Sequence, residues 1–211
     1  MSFVEVVIVK KNGPLSEARF GELLDCAPDE YKNRAAKMRR PAAENLLLGE
    51  ALARRMISAH TGAAPESLVF ARSPHGKPFV CGYEDAHFNI SHSGVFVACA
   101  LSPAPVGIDV QTIGPARMNI AKRFFTENEY RYVEDSPDPE IRFCRVWTMK
   151  ESYLKRDGLG ISGVKLNSFD VLEMPRGIFH EIPLDGLALL QICSEQAGFN
   201  IRVSRLLETS T

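Results

Sequence analysis

A tryptophan, a carboxylate and an ammonium recur at every fourth residue of Trp147-Thr148-Met149-Lys150-Glu151-Ser152-Tyr153-Leu154-Lys155. On a helix, positions i, i+4 and i+8 share a face, so Trp147, Glu151 and Lys155 form one stripe. Upstream, Val106-Gly107-Ile108-Asp109-Val110-Gln111 reads as a strand, with Asp109 and Gln111 leaving the same side of it. Together with Glu151 they supply three oxygen donors. Oxygen-only ligation with no paired His or Cys suits Mg²⁺ rather than zinc, and an ammonium beside the cation suits a phosphate. Each part also has a plainer reading. A strand end is often just solvated, and Glu four residues before Lys is a favoured helical salt bridge worth about 0.3–0.5 kcal/mol.

Three further groups carry phosphate-binding chemistry. Ser91-His92-Ser93-Gly94 reads as a turn offering hydroxyl, imidazole and backbone donors, although a histidine in a turn is more often merely a satisfied turn residue. Lys77 stands between Gly76 and Pro78 in the turn Ser73-Pro74-His75-Gly76-Lys77-Pro78, where most lysines are simply solvated. The stretch Lys32-Asn33-Arg34-Ala35-Ala36-Lys37-Met38-Arg39-Arg40 holds no acid, and it is a wet helix face unless the ligand carries phosphate. Ser91 with His92 could make a hydrolase nucleophile and base, but no supporting acid or Gly-x-Ser-x-Gly elbow accompanies them.

The elements that must position these residues follow from pattern. Ser2–Val9 reads as a first strand. Pro14 and Ser16 open a short helix ending near Asp25, and Pro41 starts a long amphipathic helix to about His60, with Gly62 as its stop. Leu68–Ala71 is strand-like, and Phe88–Ser91 with Val95–Leu101 reads as a hairpin closed by His92-Ser93-Gly94. Ser102-Pro103-Ala104-Pro105 is the boundary, dividing the chain into an N-terminal lobe, 1–104, and a C-terminal lobe, 105–211. The second half repeats the scheme: the strand Val106–Gln111, a helix over Arg117–Phe125, a capping-box spacing at Thr126 and Glu129, and a long helix from Asp138-Pro139 to Lys155 ended by Gly158. Strands near Leu166–Leu172, Ile178–Ile182, Leu187–Cys193 and Asn200–Val203 complete it. Strand-plus-helix runs in each half predict an α+β fold of two similar lobes.

The chain of 211 residues is 45% apolar and 24% charged with net charge −1, an ordinary globular composition with no field to recruit nucleic acid or an anionic membrane. Five scattered cysteines without a Cys-x-x-Cys pair read as reduced thiols. The amino terminus lacks a signal-peptide pattern, and the longest apolar run, Val95–Leu101, is too short to span a bilayer, so a cytoplasmic location is expected.

Four segments in order, Asp85–Gly94, Val106–Val110, Ile120–Thr126 and Trp147–Ser152 with Lys155, give the chain its resemblance to the 4′-phosphopantetheinyl transferases of the surfactin-synthetase-activating type. The likeness runs from about Leu15 to the last strands. It implies a pseudo-dimer of two α/β lobes with the active site in the cleft between them. It further implies transfer of the phosphopantetheine arm of coenzyme A to a serine of an acyl or peptidyl carrier protein, with Mg²⁺ as cofactor. Carried over by position, Asp109, Gln111 and Glu151 hold the metal, and Lys155 and His92 contact the diphosphate with help from Ser91, Lys77 and Pro78. Glu151 takes the serine proton, and Glu129 matches a further acidic position near the metal, its plainer reading being the helix cap. Met118, Lys122 and Arg123 would face an acidic carrier helix, and the expected state is a monomer.

The chain departs from the family pattern at two places. Gln111 stands where many relatives have a carboxylate, which removes one negative charge from the metal site. Ala42, Asn45 and Leu46 replace groups that help bind the 3′-phosphate of the nucleotide. Lys32, Lys37, Arg39 or Arg40 are the nearby basic residues able to compensate. The alternative reading is a non-catalytic relative that binds coenzyme A or a carrier without transfer.

Overall fold

In the computed structural model, which describes residues 3–159, 164–195 and 197–208, β1 (Phe3–Lys11) is covered on both faces. Val4, Val6 and Ile8 enter one core while Val9, with Val7 against it, enters another. That is why the strand reads as a nearly continuous apolar run. The second core packs β1 against α1 (Glu17–Cys26), α2 (Asp29–Ala35) and α3 (Arg40–Thr61). Ser16 caps α1 through the Arg19 amide, and Gly62 ends α3 in the left-handed region at φ 76°.

A small hairpin, β2 (Phe70–Arg72) with β3 (Pro78–Val80), carries the Lys77 turn. β4 (His87–Ser93) and β5 (Phe96–Ser102) then pair antiparallel, Ser93 opposite Phe96. The hairpin therefore extends further than its sequence suggests. His92 and Ser93 belong to the strand, and the turn is Gly94-Val95, with glycine at φ 56° supplying the positive torsion that a two-residue turn needs.

The second half contributes β6 (Val106–Thr112), α4 (Met118–Phe124), α5 (Glu127–Glu134), α6 (Pro139–Asp157), β7 (Phe179–Leu184) and β8 (Ala188–Ser194). Its sheet has the order β6-β8-β7 and packs on β1 and β5 through Val106, Ile108, Val110 and Leu190. The last strand, β9 (Asn200–Glu208), does not complete this sheet. It runs parallel to β1, Val4 opposite Ile201, and closes the first sheet in the order β4-β5-β1-β9. β9 takes the edge of β1 that β5 leaves open, and Ile201 packs against the core between the sheets.

Nor is Leu166–Leu172 a strand. Leu166–Ser168 is a single tight helical turn, and the backbone beyond it is bound by side chains instead of a ladder. The Lys150 ammonium donates to Leu166 O and Phe169 O at 2.7 Å each, and Glu129 accepts from the Val171 amide at 2.8 Å. The architecture is a mixed α+β fold of two lobes, helices outside and sheets facing inward. No helix among the described residues is long and apolar enough to cross a membrane.

Candidate active site

The lobes meet along an unusual seam between β4 and β6, at the ends of their respective sheets. Asn89, Ser91 and Ser93 alternate along β4, and each offers a side-chain oxygen to β6. Ile108 N reaches Asn89 Oδ1 at 2.9 Å, Val110 N reaches Ser91 Oγ at 3.1 Å, and Thr112 N reaches Ser93 Oγ at 3.0 Å. Side chains of one sheet edge thus satisfy the free amides of the other, which would otherwise cost a desolvation penalty each. No sequence motif announced this seam, though the period-two spacing of the three polar residues was visible.

On the other side of β6 lies α6. Gly107 makes the approach possible: a Cβ there would stand 1.9 Å from Ser152 O and 2.4 Å from Arg156 N. Helix backbone and strand backbone are in contact, which is what the Gly-Ile-Asp sequence provides. Two residues along the same face, Asp109 consequently stands among the side chains of α6.

There the stripe and the strand converge. Lys155 Nζ lies 2.6 Å from Asp109 Oδ1 and 3.2 Å from Ser91 Oγ, and Ser91 donates its hydroxyl to the same Oδ1 at 2.9 Å. Lys155 therefore pairs across the cleft and not with Glu151 one turn back on its own helix. Glu151 is buried, and its Oε1 has no hydrogen-bond partner. Burial, and then the Asp109 charge, push its carboxyl up to about 7, with Lys155 opposing. Trp147 stacks with Phe143 at 6.2 Å and forms the apolar end of the stripe.

Two sequence-predicted phosphate ligands are engaged differently from a displayed turn. Ser91 is buried in the seam and its one hydrogen is committed to Asp109. Lys77 crosses between the lobes, donating to Arg156 O at 2.7 Å and Val106 O at 3.1 Å. Burial lowers its pKa to about 8, with Asp157 opposing and Arg156 adding. Lys77, Pro78 and Lys155 border a cavity of about 200 Å³ that also touches His75, Asn89 and Gly158. His92, on β4 beside Ser91, has its imidazole pushed below the ordinary value, first by lost hydration and then by the Lys155 ammonium. At the opposite end of the stripe a cavity of about 150 Å³ is lined by Gln111, Thr112, Ile120, Phe143, Cys144 and Trp147. A small cavity bordered by Lys77 and Lys155, the carboxylates, and a mixed polar and apolar pocket beside Trp147 thus follow one another along α6.

Of the remaining candidates, Arg40 is held at the α1–α3 corner, ion-paired with Glu17 at 3.1 Å and Glu44 at 3.2 Å and lying 3.6 Å over the Phe20 ring. Lys37 and Arg39 are exposed. Asn45 is buried with its Oδ1 lacking a partner, while its Nδ2 donates to Gly94 O at 3.4 Å. Glu129 is buried away from the stripe. It completes the capping box of α5 with Thr126 and pairs with Lys150 at 2.8 Å, so its carboxylate is fully occupied.

Asp109, Glu151 and the Gln111 amide fit a hard divalent cation chemically: all oxygen, two carboxylates that feel each other, one buried oxygen without a partner. Among the described residues, no group of three or more His, Cys, Asp or Glu side chains is assembled for a metal, so the amide is needed as third donor.

Two carboxylates and an ammonium gathered at a lobe boundary are the groups that neutralise charge on a transferring phosphoryl group. Two family models cover nearly all of the chain: "4′-phosphopantetheinyl transferase, N-terminal" over residues 14–104 and "4′-phosphopantetheinyl transferase superfamily" over 105–204. The chain is 35% identical over 161 residues to 4′-phosphopantetheinyl transferase Sfp of Bacillus subtilis (strain 168), 75% of this chain and 71% of that protein. It is 42% identical over 125 residues to the transferase gsp of Aneurinibacillus migulanus, 58% and 52% of the two chains. It is 33% identical over 136 residues to HetI of Nostoc sp. (strain PCC 7120), 60% and 56%. The chain belongs to the 4′-phosphopantetheinyl transferase superfamily.

Proposed function

We propose that the protein moves the 4′-phosphopantetheine arm of coenzyme A onto a serine of an acyl or peptidyl carrier protein, releasing adenosine 3′,5′-bisphosphate. The observation that carries this reading is the convergence of Asp109, Glu151 and Lys155 at the lobe boundary, with Glu151 Oε1 buried and unpartnered. Asp109, Glu151 and the Gln111 amide would hold Mg²⁺, which when bound neutralises charge on the diphosphate oxygens. Lys155 and His92 take the diphosphate, and Lys155 meets the charge that develops on the departing bridge oxygen. Lys77 and Pro78 wall the nucleotide end, while Ser91 holds Asp109 in place. Lys37 and Arg40 are assigned to the 3′-phosphate, which requires Arg40 to exchange Glu17 for the ligand. Glu151 accepts the proton of the incoming serine, directly or through one water, and a carboxyl near 7 suits that task.

The pocket beside Trp147 is left for the start of the pantetheine arm and the entering serine. Next to it, α4 offers Met118, Lys122 and Arg123 to the acidic helix of a carrier. Free thiols at all five cysteines accord with a reducing cytoplasm, and a cleft completed within one chain needs no second subunit.

Incubation with coenzyme A, Mg²⁺ and apo carrier, followed by weighing the carrier, tests the activity. Mass gain that disappears in Glu151→Ala supports it, and no gain on any carrier, with coenzyme A still bound, leaves the non-catalytic alternative. Reversing charge at Lys122 and Arg123 should raise KM for carrier about tenfold and leave coenzyme A affinity alone. Unchanged carrier kinetics would refute the docking assignment.

A further inference from the structure

Asp109 Oδ1 already has two donors, the Lys155 ammonium at 2.6 Å and the Ser91 hydroxyl at 2.9 Å. The lysine is 30% exposed against 8% for the aspartate, so the cation leans inward from a partly wet position onto a nearly buried carboxylate. Glu151 is left with a buried bare oxygen although Lys155 follows it by one turn. One cation thus sits on Asp109 Oδ1, one of the carboxylate oxygens that Asp109 and Glu151 would offer a metal.

An ammonium and a divalent cation cannot share that oxygen. Ligation by Mg²⁺ requires contact at about 2.0–2.1 Å, and a positive charge within a few ångströms in a poorly hydrated site is strongly repelled. Because the third donor is the neutral amide of Gln111, Asp109, Glu151 and Lys155 together offer little negative charge to overcome the repulsion. What can draw Lys155 off Asp109 is an anion with its own acceptors placed beyond the carboxylate. The linked phosphates of the coenzyme are such a group.

We propose that Lys155 is a place-holder: it occupies Asp109 until the coenzyme's diphosphate takes it, so the divalent cation is admitted only together with coenzyme. This rests on the reading that the diphosphate lies beside Lys155. Free protein is then a poor metal binder, coenzyme and metal bind with positive cooperativity, and removing the ammonium opens the metal site without any coenzyme.

Mn²⁺ serves as the probe, its free concentration read from its electron paramagnetic resonance signal, with no carrier present so that no transfer occurs. Wild type alone should bind Mn²⁺ only weakly. Coenzyme A should tighten binding by about tenfold or more beyond what coenzyme A achieves without protein. Lys155→Met, with no coenzyme, should bind Mn²⁺ about tenfold more tightly than wild type. Lys155→Gln replaces it if the methionine variant does not fold. The proposal is overturned if wild type binds Mn²⁺ equally well with and without coenzyme A, or if a folded Lys155 variant binds it no better than wild type. Coenzyme A binding in the presence of saturating Mn²⁺ is followed in parallel. If coenzyme A fails to bind there, the functional reading is what fails, whereas the coenzyme-free comparison of wild type and variant judges the place-holder alone.

Discussion

Replacing Gly107 by alanine should separate the geometry of this site from its chemistry, because the substitution adds no charge, touches no ligand and lies two residues from Asp109. The new methyl would stand 1.9 Å from Ser152 O and 2.4 Å from Arg156 N. Both neighbours are helix backbone, so no side chain can swing aside. Restoring ordinary contact of at least 3.4 Å requires α6 and β6 to part by about 1.5 Å at this point. Overpacking of this kind costs about 1–3 kcal/mol, which for a protein of this size lowers Tm by about 2–4 °C per kcal/mol. Asp109 rides on β6, and Glu151 and Lys155 ride on α6, so the same displacement opens the carboxylate pair and stretches the 2.6 Å contact of Lys155. Misplacing reacting groups by an ångström costs on the order of 10²-fold in rate. The expectation is a folded protein, a few degrees less stable, with kcat on apo carrier reduced about 10²-fold and coenzyme A affinity reduced less. Thermal unfolding and carrier mass-shift kinetics measure the two effects. Retention of kcat within threefold of wild type would show that close backbone contact is not what builds the site.

Glu151 predicts a stability slope of unusual sign. A carboxyl raised to about 7 in the folded state binds its proton there while the unfolded chain, near 4.5, has released it. The free protein should therefore lose stability as pH rises from about 4.5 to 7, by up to roughly 3 kcal/mol. Urea unfolding of Glu151→Gln should show a flatter profile, and an equally steep one contradicts the assignment. Lys150→Met leaves Glu129 buried without its partner and should cost about 3–5 kcal/mol, much of it recovered in Lys150→Met/Glu129→Gln. If the double variant is no more stable than the single, the ion pair is not the cause. Discrimination between coenzyme A and its 3′-dephospho form should be weak, because Ala42, Asn45 and Leu46 offer no charge and Arg40, assigned to the 3′-phosphate with Lys37, must first give up its ion pair with Glu17. A large KM preference for intact coenzyme A that survives neutralising Lys32, Lys37, Arg39 and Arg40 together would contradict this.

How much of the molecule was legible depended on the range of the contact. Helix ends were readable because caps are local: Ser16, the Thr126–Glu129 box, Gly62 and Gly158 all do what their types predict. The stripe of α6 and the shared face of Asp109 and Gln111 were likewise fixed by periodicity alone. β9 was readable as a strand over Asn200–Val203 but its partner was not, because nothing in Asn200–Glu208 says which open edge it will take. Leu166–Leu172 misled for a related reason. Its apolar alternation looks like a strand, yet its backbone groups are claimed by Lys150 and Glu129, two charges placed on it by other helices.

The partner of Lys155 shows the same limit at the site itself. Sequence spacing offers Glu151 as its natural companion, a wet i,i+4 pair of small value. Tertiary structure instead offers a carboxylate that has lost most of its water and is held rigid by Ser91, whose hydroxyl is fixed by the Val110 amide. A preoriented, poorly hydrated acceptor outcompetes a solvated one for the same ammonium. On the proposed reading the polar seam of β4 is a positioning device: by satisfying the amides of β6 it aims Asp109, and by aiming Asp109 it sets where Lys155 rests.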